Sequence, residues 1–257
     1  VTTVAADLPA CADRRPPLRP LFTVAVYAWA ASLLCLHALV ALVAMPCTLI
    51  VDRDRRFAAR LGSWLTRTAI RVPRQWRGAA RGLSSMGTGP RGRPAVIVMN
   101  HRSLADIAMA VGVPGGPKIV SKPWPGRLPL IGMCMRLCGH VVFDPSSPHD
   151  VLMLMKRAEG LLARGESVLF FPEGTRRTGP GMGAFHEGAF LLAVKMRVDV
   201  LPVVLHGTGR LVPKGSLAFH DVAVDATPLP RMAPGLDRRA LARRVRAAMA
   251  ASLAAHA

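Results

Sequence analysis

Ala95-Val96-Ile97-Val98-Met99-Asn100-His101-Arg102-Ser103-Leu104-Ala105-Asp106 is the stretch on which the reading of this chain turns. Its first five residues are a short continuous apolar run, the pattern of a buried strand. Ile107-Ala108-Met109-Ala110, just beyond, reads as the start of a helix. His101 therefore sits where a strand ends, and Asp106 enters the first turn of that helix. Residues five apart lie about 140° apart around one helix, so the two do not share a helix face. A loop bending into a helix can still return the carboxylate to the imidazole. Asp106 would then fix the tautomer, leaving the other ring nitrogen to take a proton. For the pair alone, helix capping by His101 competes with that role.

A second segment, Phe171-Pro172-Glu173-Gly174-Thr175-Arg176, also follows an apolar strand-like run. Gly174 permits a tight turn, Thr175 offers a hydroxyl, and Arg176 supplies a planar fork suited to phosphate oxygens. In α/β proteins, sites are usually built just after strands. Strand candidates are Ala95–Met99, Lys118–Ser121, His140–Phe143, Val168–Phe171 and Val200–Leu205. Helix candidates Leu104–Val111, Leu130–Cys138, Asp150–Arg164 and Phe185–Met196 alternate with them. In the third helix, Val151, Leu154, Met155, Ala158, Leu161 and Leu162 form an apolar stripe that stops at Gly165. Alternation with fully apolar strands predicts a layered α/β domain with a largely parallel sheet over residues 95–235.

His101 and Asp106 with four residues between them, followed by Phe171 through Arg176, resemble the two signature segments of the glycerolipid acyltransferases. The resemblance runs from about Ala95 to Thr208. It takes in Lys122 with Pro129 and Gly132 downstream, Phe185-His186-Glu187-Gly188-Ala189, and Val200-Leu201-Pro202-Val203. It implies transfer of a fatty acyl group from a thioester, acyl-CoA or acyl carrier protein, to the hydroxyl of a lysolipid. It also implies a catalytic pair, His101 as base and Asp106 as its orienting partner. By the same resemblance, Lys122 and Phe171, Pro172, Glu173, Gly174, Thr175 and Arg176 bind the acceptor, with Glu173 either anchoring its loop or touching the acceptor. An uncharged alcohol needs a base as the carbon–oxygen bond forms. Direct transfer is implied, and an acyl-serine at Ser103 is the alternative. An oxyanion stabiliser is required, and the sequence does not name it. No cofactor or metal is implied, and no ligand cluster is visible.

One departure bears on the acceptor. Where the family places a phosphate-binding arginine, this chain has Pro145, which offers neither charge nor donor. Lysophosphatidic acid is the acceptor that the resemblance favours, and Arg176, Arg177 or Lys122 are candidate substitutes for the arginine. A lyso-ornithine lipid is the runner-up. A non-catalytic lipid-binding protein on the same fold is the alternative of another class.

The net charge is +19 and the pI near 11.5, which calls for an anionic surface, partner or substrate. Nucleic acid is set aside, because aromatics make up only 5% and no zinc-finger, helix-turn-helix or RNA motif occurs. Residues 1–20 read as a basic, disordered leader. From Leu21 to Val51 there is no Lys, Arg, Asp or Glu. As a helix this stretch would reach about 46 Å against a hydrocarbon core of about 30 Å. It predicts a membrane-associated helical segment, spanning or bent and half-inserted, with a buried core helix as the competing reading. Denser basic residues after it, at Arg53, Arg55, Arg56 and Arg60, place the catalytic domain on the cytoplasmic face of the cell inner membrane.

Within 52–94, a basic amphipathic helix from about Asp54 to Val72 carries Phe57, Leu61, Trp64, Leu65 and Thr68 on one face. That face either lies in the membrane interface or packs on the domain. Arg74 to Pro94 reads as a linker. A C-terminal helix over 236–257 bears a Leu241, Val245, Met249 stripe, facing either domain or membrane. The five cysteines are scattered, without a CxxC pair, and read as reduced structural residues. Oligomeric state has no signal.

Overall fold

A computed structural model describes residues 20–51, 55–86, 93–179, 181–216 and 218–256, with part of the side chains in the first helix left out. The expected leader thus lies almost wholly outside the described residues. Three helices precede the sheet: α1 (Pro20–Val51), α2 (Arg56–Ala69) and, after a short turn at Arg74–Trp76, α3 (Arg77–Ser85). Then come β1 (Val96–Met99), α4 (Ala105–Val111), β2 (Lys118–Ser121), α5 (Pro123–Gly126), α6 (Pro129–Leu137) and β3 (Val141–Val142). The chain continues with α7 (Pro148–Ala163), β4 (Val168–Phe170), α8 (Gly188–Met196), β5 (Val200–His206), α9 (Thr208–Leu211), β6 (Asp225–Pro228) and α10 (Arg238–Ala254).

The strands form one sheet in the order β3-β2-β4-β1-β5-β6. Every pairing is parallel except β5 with β6, so the layered, largely parallel sheet is as expected. β1 is central, with Val96 opposite Val168 on one side and Val200 on the other. Its side chains alternate between two apolar cores. Ile97 and Met99 join Ile70, Leu83 and Met109 on one face, while Val96 and Val98 join Leu161, Phe190 and Val245 on the other. A strand buried on both faces must be apolar throughout, which is why the run at 95–99 carries no polar residue. The stripe Leu241, Val245 and Met249 packs on the domain, at 1%, 0% and 0% exposure. Each such side chain contributes about 1.5–3 kcal/mol of burial. In α7, Leu154, Ala158, Leu161 and Leu162 are buried, whereas Val151 faces outward.

One expectation is corrected. Residues 77–85 are not a linker but helix α3, which closes the β6 edge of the sheet. Gly78 and Gly82 make this possible, because a Cβ on either would overlap Asp225 or the Ala226 carbonyl. Ala79 donates its N–H to the Val224 carbonyl at 2.8 Å, and Ala79, Ala80 and Leu83 enter the core. The segment 21–51 is helical, as expected. Helix α1, Pro20–Val51, is a single helix of 32 residues, and part of it lies along its own domain. Val26 and Trp29 pack on the core, the Tyr27 ring meets Phe219 edge-on at 5.2 Å, and α2 and α6 cover further parts. Among the described residues, no helix is long and apolar enough to cross a membrane.

For α2, the outcome reverses the usual logic of an amphipathic helix. Its buried side is the small one, Ala58, Ala59, Gly62 and Ser63, drawn tight against the turn at Gly116. Ser63 donates to the Val113 carbonyl at 2.6 Å. Phe57 and Trp64 are left outside, at 53% and 56% exposure. Cys134 and Cys138 are buried, and burial pushes the Cys138 thiol up to about 12 despite the nearby Lys118 and Arg55.

At the end of β5 the His206 ring is buried, stacked on His256 at 4.2 Å with Nε2 3.1 Å from Thr227 Oγ1. Burial and His256 hold this imidazole below the ordinary histidine value, with Asp225 opposing them. As pH falls through about 6.5 the unfolded chain protonates first. Stability is therefore untouched above that pH and declines below it, down to the folded value. The melting temperature is expected to drop between pH 7 and 5, with a flatter profile in His206→Asn. Identical slopes in circular-dichroism melts of the two proteins would refute this.

Candidate active site

The end of β1 carries the site. Asn100 extends the ladder beyond the strand, its side chain donating to the Leu205 carbonyl at 2.9 Å and accepting from the Leu205 N–H at 2.7 Å. The backbone then curls around one oxygen of Asp106. Oδ2 accepts N–H bonds from Arg102 at 2.5 Å and Ser103 at 2.7 Å, and lies 2.8 Å from His101 Nδ1. This converts a spacing of five residues into contact. Asp106 is wholly buried. A carboxylate so placed holds the proton on Nδ1 and leaves Nε2 as the basic nitrogen. The imidazole is half-buried and tilted over the Phe171 ring, with centroids 4.4 Å apart.

Glu173 joins the two sequence segments. Its Oε1 accepts from the His101 N–H at 3.1 Å and its Oε2 from the Gly183 N–H at 2.9 Å. The Arg177 N–H returns a bond to the His101 carbonyl at 2.9 Å. Glu173 is 7% exposed and holds the loop, so of the two roles open to it the geometry favours anchoring. Gly174 has φ +67°, and a Cβ there would lie 2.7 Å from His186 Nε2. The His186 N–H is itself held by the Pro172 carbonyl at 2.8 Å.

His101, Asp106, Phe171, Pro172, Glu173 and Gly174 are thus brought together. Thr175 is exposed and Arg176 half-exposed on the rim. Lys122 stands apart as the exposed residue that opens α5, and it makes no hydrogen bond to the pair. Ser103 is fully buried, its hydroxyl donating to the Val212 carbonyl at 2.9 Å and accepting from the Ala105 N–H, so it is a structural group and a poor candidate nucleophile. Pro145 is exposed in the turn before α7. There Ser146 bonds to Asp144, holding its carboxyl below the usual range, and Ser147 caps the helix by accepting from the Asp150 N–H.

Three residues of the site carried no sequence signal. Arg102 donates to the Gly179 carbonyl at 2.6 Å and also to that of Gly181. Arg246, on α10, donates to the Gly183 and Met182 carbonyls, each at 2.7 Å. Lys214 donates to the Arg176 carbonyl at 3.1 Å, which puts a further cation beside the loop.

A family model described as Acyltransferase matches residues 84–206. The 1-acyl-sn-glycerol-3-phosphate acyltransferase of Pseudomonas aeruginosa is 31% identical over 71% of this chain and 68% of its own length. The chain belongs to the glycerolipid acyltransferase family. Similar acyltransferases include those named 1-acyl-sn-glycerol-3-phosphate acyltransferase from Chlamydomonas reinhardtii, 35% identical over 77% of this chain, and chloroplastic LPAT1 of Arabidopsis thaliana, 41% over 48%. The chain spans 59% of the length of the first and 35% of the second. The acyltransferase fold is shared with the crystal structure of the 1-acyl-sn-glycerophosphate (LPA) acyltransferase PlsC from Thermotoga maritima. That likeness has a TM-score of 0.67 at 22% identity and covers 90% of this chain and 93% of the other.

Proposed function

We propose that this chain transfers a fatty acyl group from a thioester, acyl-CoA or acyl carrier protein, to the free hydroxyl of a lysolipid. The observation that carries the reading is His101 Nδ1 fixed 2.8 Å from the buried Asp106. His101 Nε2 takes the hydroxyl proton as the acceptor oxygen bonds to the thioester carbonyl carbon. The tetrahedral oxyanion then collapses, the carbon–sulfur bond breaks, and the thiol leaves with the proton from the imidazolium. No covalent acyl-enzyme is needed.

The relatives named above support 1-acyl-glycerol-3-phosphate as acceptor, giving phosphatidic acid. Pro145 favours a second reading, a lyso-ornithine or other lysolipid without a phosphate monoester. For the first, Arg176 and Lys214 are the cations placed to meet the phosphate. The outward Phe57 and Trp64 of α2, with Leu36, Leu39, Leu42 and Val43 of α1, support attachment to a membrane surface. We place that surface on the cytoplasmic face of the inner membrane, on the side marked by the dense arginines Arg53, Arg55, Arg56 and Arg60 that follow the apolar segment.

The test offers lysophosphatidic acid and lyso-ornithine lipid side by side to detergent-solubilised full chain, with each donor in turn. Product from lysophosphatidic acid is expected. Product from lyso-ornithine lipid alone would move the acceptor to the second reading. Lipid binding without product from any pairing would favour a non-catalytic protein.

A further inference from the structure

Between the end of α2 and the outer face of α3 lies a cavity of about 450 Å³ lined by Arg71, Arg77, Ala80, Arg81 and Ser84. No carboxylate lines it. Arg77 and Arg81 are four residues apart on one helix, so their guanidinium groups share a face and repel each other. Arg77 Nε donates to the Arg71 carbonyl at 3.4 Å, and Arg71 donates to the Ser84 hydroxyl at 3.2 Å, so the partners at this site are neutral groups. Two acidic side chains of neighbouring segments are turned to other work. Asp221 accepts from Gln75, and Asp225 lies against Gly78 on the sheet side of α3.

Arg67, one helical turn before Arg71, adds an independent observation. Its Nη1 is buried without a hydrogen-bond partner. Burial and the charge of Arg71 both push this guanidinium below the ordinary arginine value. A guanidinium with a buried, unbonded N–H beside a second cation gains from an anion to share. α3 lies on β6, two strands from β1, so this cluster is separate from His101 and Asp106.

We propose that Arg71, Arg77 and Arg81, backed by Arg67, form a binding site for the phosphate of an anionic phospholipid headgroup, distinct from the catalytic site. The chemistry is that of a phosphate oxygen set meeting several guanidinium forks, each able to donate two N–H bonds. A lipid source is favoured by the surroundings of the cavity. Val72, next to Arg71, is 64% exposed, and the outward Trp64 lies two turns back along α2. Phosphate at this depth would sit where acyl chains can reach those residues. The inference rests on the membrane reading of α2 and is independent of catalysis.

The test uses the full chain in sedimentation with vesicles of phosphatidylcholine, with and without phosphatidic acid. Arg77 and Arg81 are exposed, so R77A/R81A should fold normally. R243A/R244A removes the same charge from the exposed face of α10 and serves as control. Each basic residue near an anionic surface strengthens binding by about five-fold. R77A/R81A is therefore expected to bind phosphatidic acid vesicles about twenty-five-fold more weakly, with R243A/R244A close to wild type and turnover of detergent-dispersed substrate kept. Equal losses in the two double variants would mean diffuse charge and overturn the site. Wild-type binding that is the same with and without phosphatidic acid would overturn it too, while leaving the membrane reading of α2 standing. No binding to any vesicle would overturn both. Inorganic phosphate is titrated separately by calorimetry. Tight binding of it, lost in R77A/R81A with vesicle binding unchanged, would reassign the site to a free anion.

Discussion

Acyl transfer by His101→Ala is expected to fall by about a hundred- to ten-thousand-fold, the usual worth of a positioned acid–base group. The variant should keep its melting temperature to within a few degrees. His101 is half-buried, and its ring contributes one aromatic contact, with Phe171. Asp106→Asn should lower turnover as well, and for a different reason. Oδ2 accepts from two backbone N–H groups and lies against Nδ1. An amide can present only its oxygen to the two N–H groups, and its NH2 would then face away from the imidazole. That oxygen still accepts the Nδ1 proton, but the negative charge that stabilises the imidazolium is gone, and part of the base's strength is lost with it. The measurement is initial rate against acceptor concentration, so that kcat and KM separate. A His101→Ala protein turning over within a few-fold of wild type would remove His101 as the base.

Glu173→Ala should be the most damaging single change outside His101 and Asp106. It strips the partner from two amides at once, those of His101 and Gly183. An orphaned buried donor costs about 1–3 kcal/mol, so the loss is about 2–6 kcal/mol. For a chain of this size each kcal/mol lowers the melting temperature by about 2–4 °C. Turnover should fall with stability, because the His101 backbone is one of the two groups released. A displacement of 1 Å can cost about a hundred-fold in rate. Glu173→Gln tests the same point with the shape preserved, since its NH2 must face one of the two N–H groups. A raised KM with unchanged melting temperature in both variants would put Glu173 on the acceptor rather than on the loop.

How much of this could be read from residues alone varies with the range of the interaction. The apolar run at 95–99 and the position of His101 just beyond it were legible, because a strand buried on both faces leaves little room for polar side chains. The contact of His101 with Asp106 was legible as a possibility only. What closes it is the curl of the Arg102 and Ser103 amides onto one oxygen, which leaves no trace in composition. Arg102 and Arg246 act on loop carbonyls 77 and 64 residues away, and at such distances an arginine looks like any solvated cation. Helix α3 was missed for another reason. Gly78 and Gly82 lower helix propensity and resemble a linker, yet they are there to let a helix approach a strand. The signal that could have found it is the small, buried set Ala79, Ala80 and Leu83 at helical spacing.

The lie of α3 along β6 also bears on how the protein behaves in company. An outer strand normally presents unpaired N–H and C=O groups on which a strand from another molecule can be added. Here the Val224 carbonyl just before β6 is already taken by Ala79, and the Gly82 backbone lies hard against the Ala226 carbonyl. At the opposite edge β3 is two residues long, too short to template a neighbour. Strand-by-strand polymerisation therefore finds no purchase at either end of this sheet. Two glycines in a helix thus do for solubility what a charged edge does in other proteins.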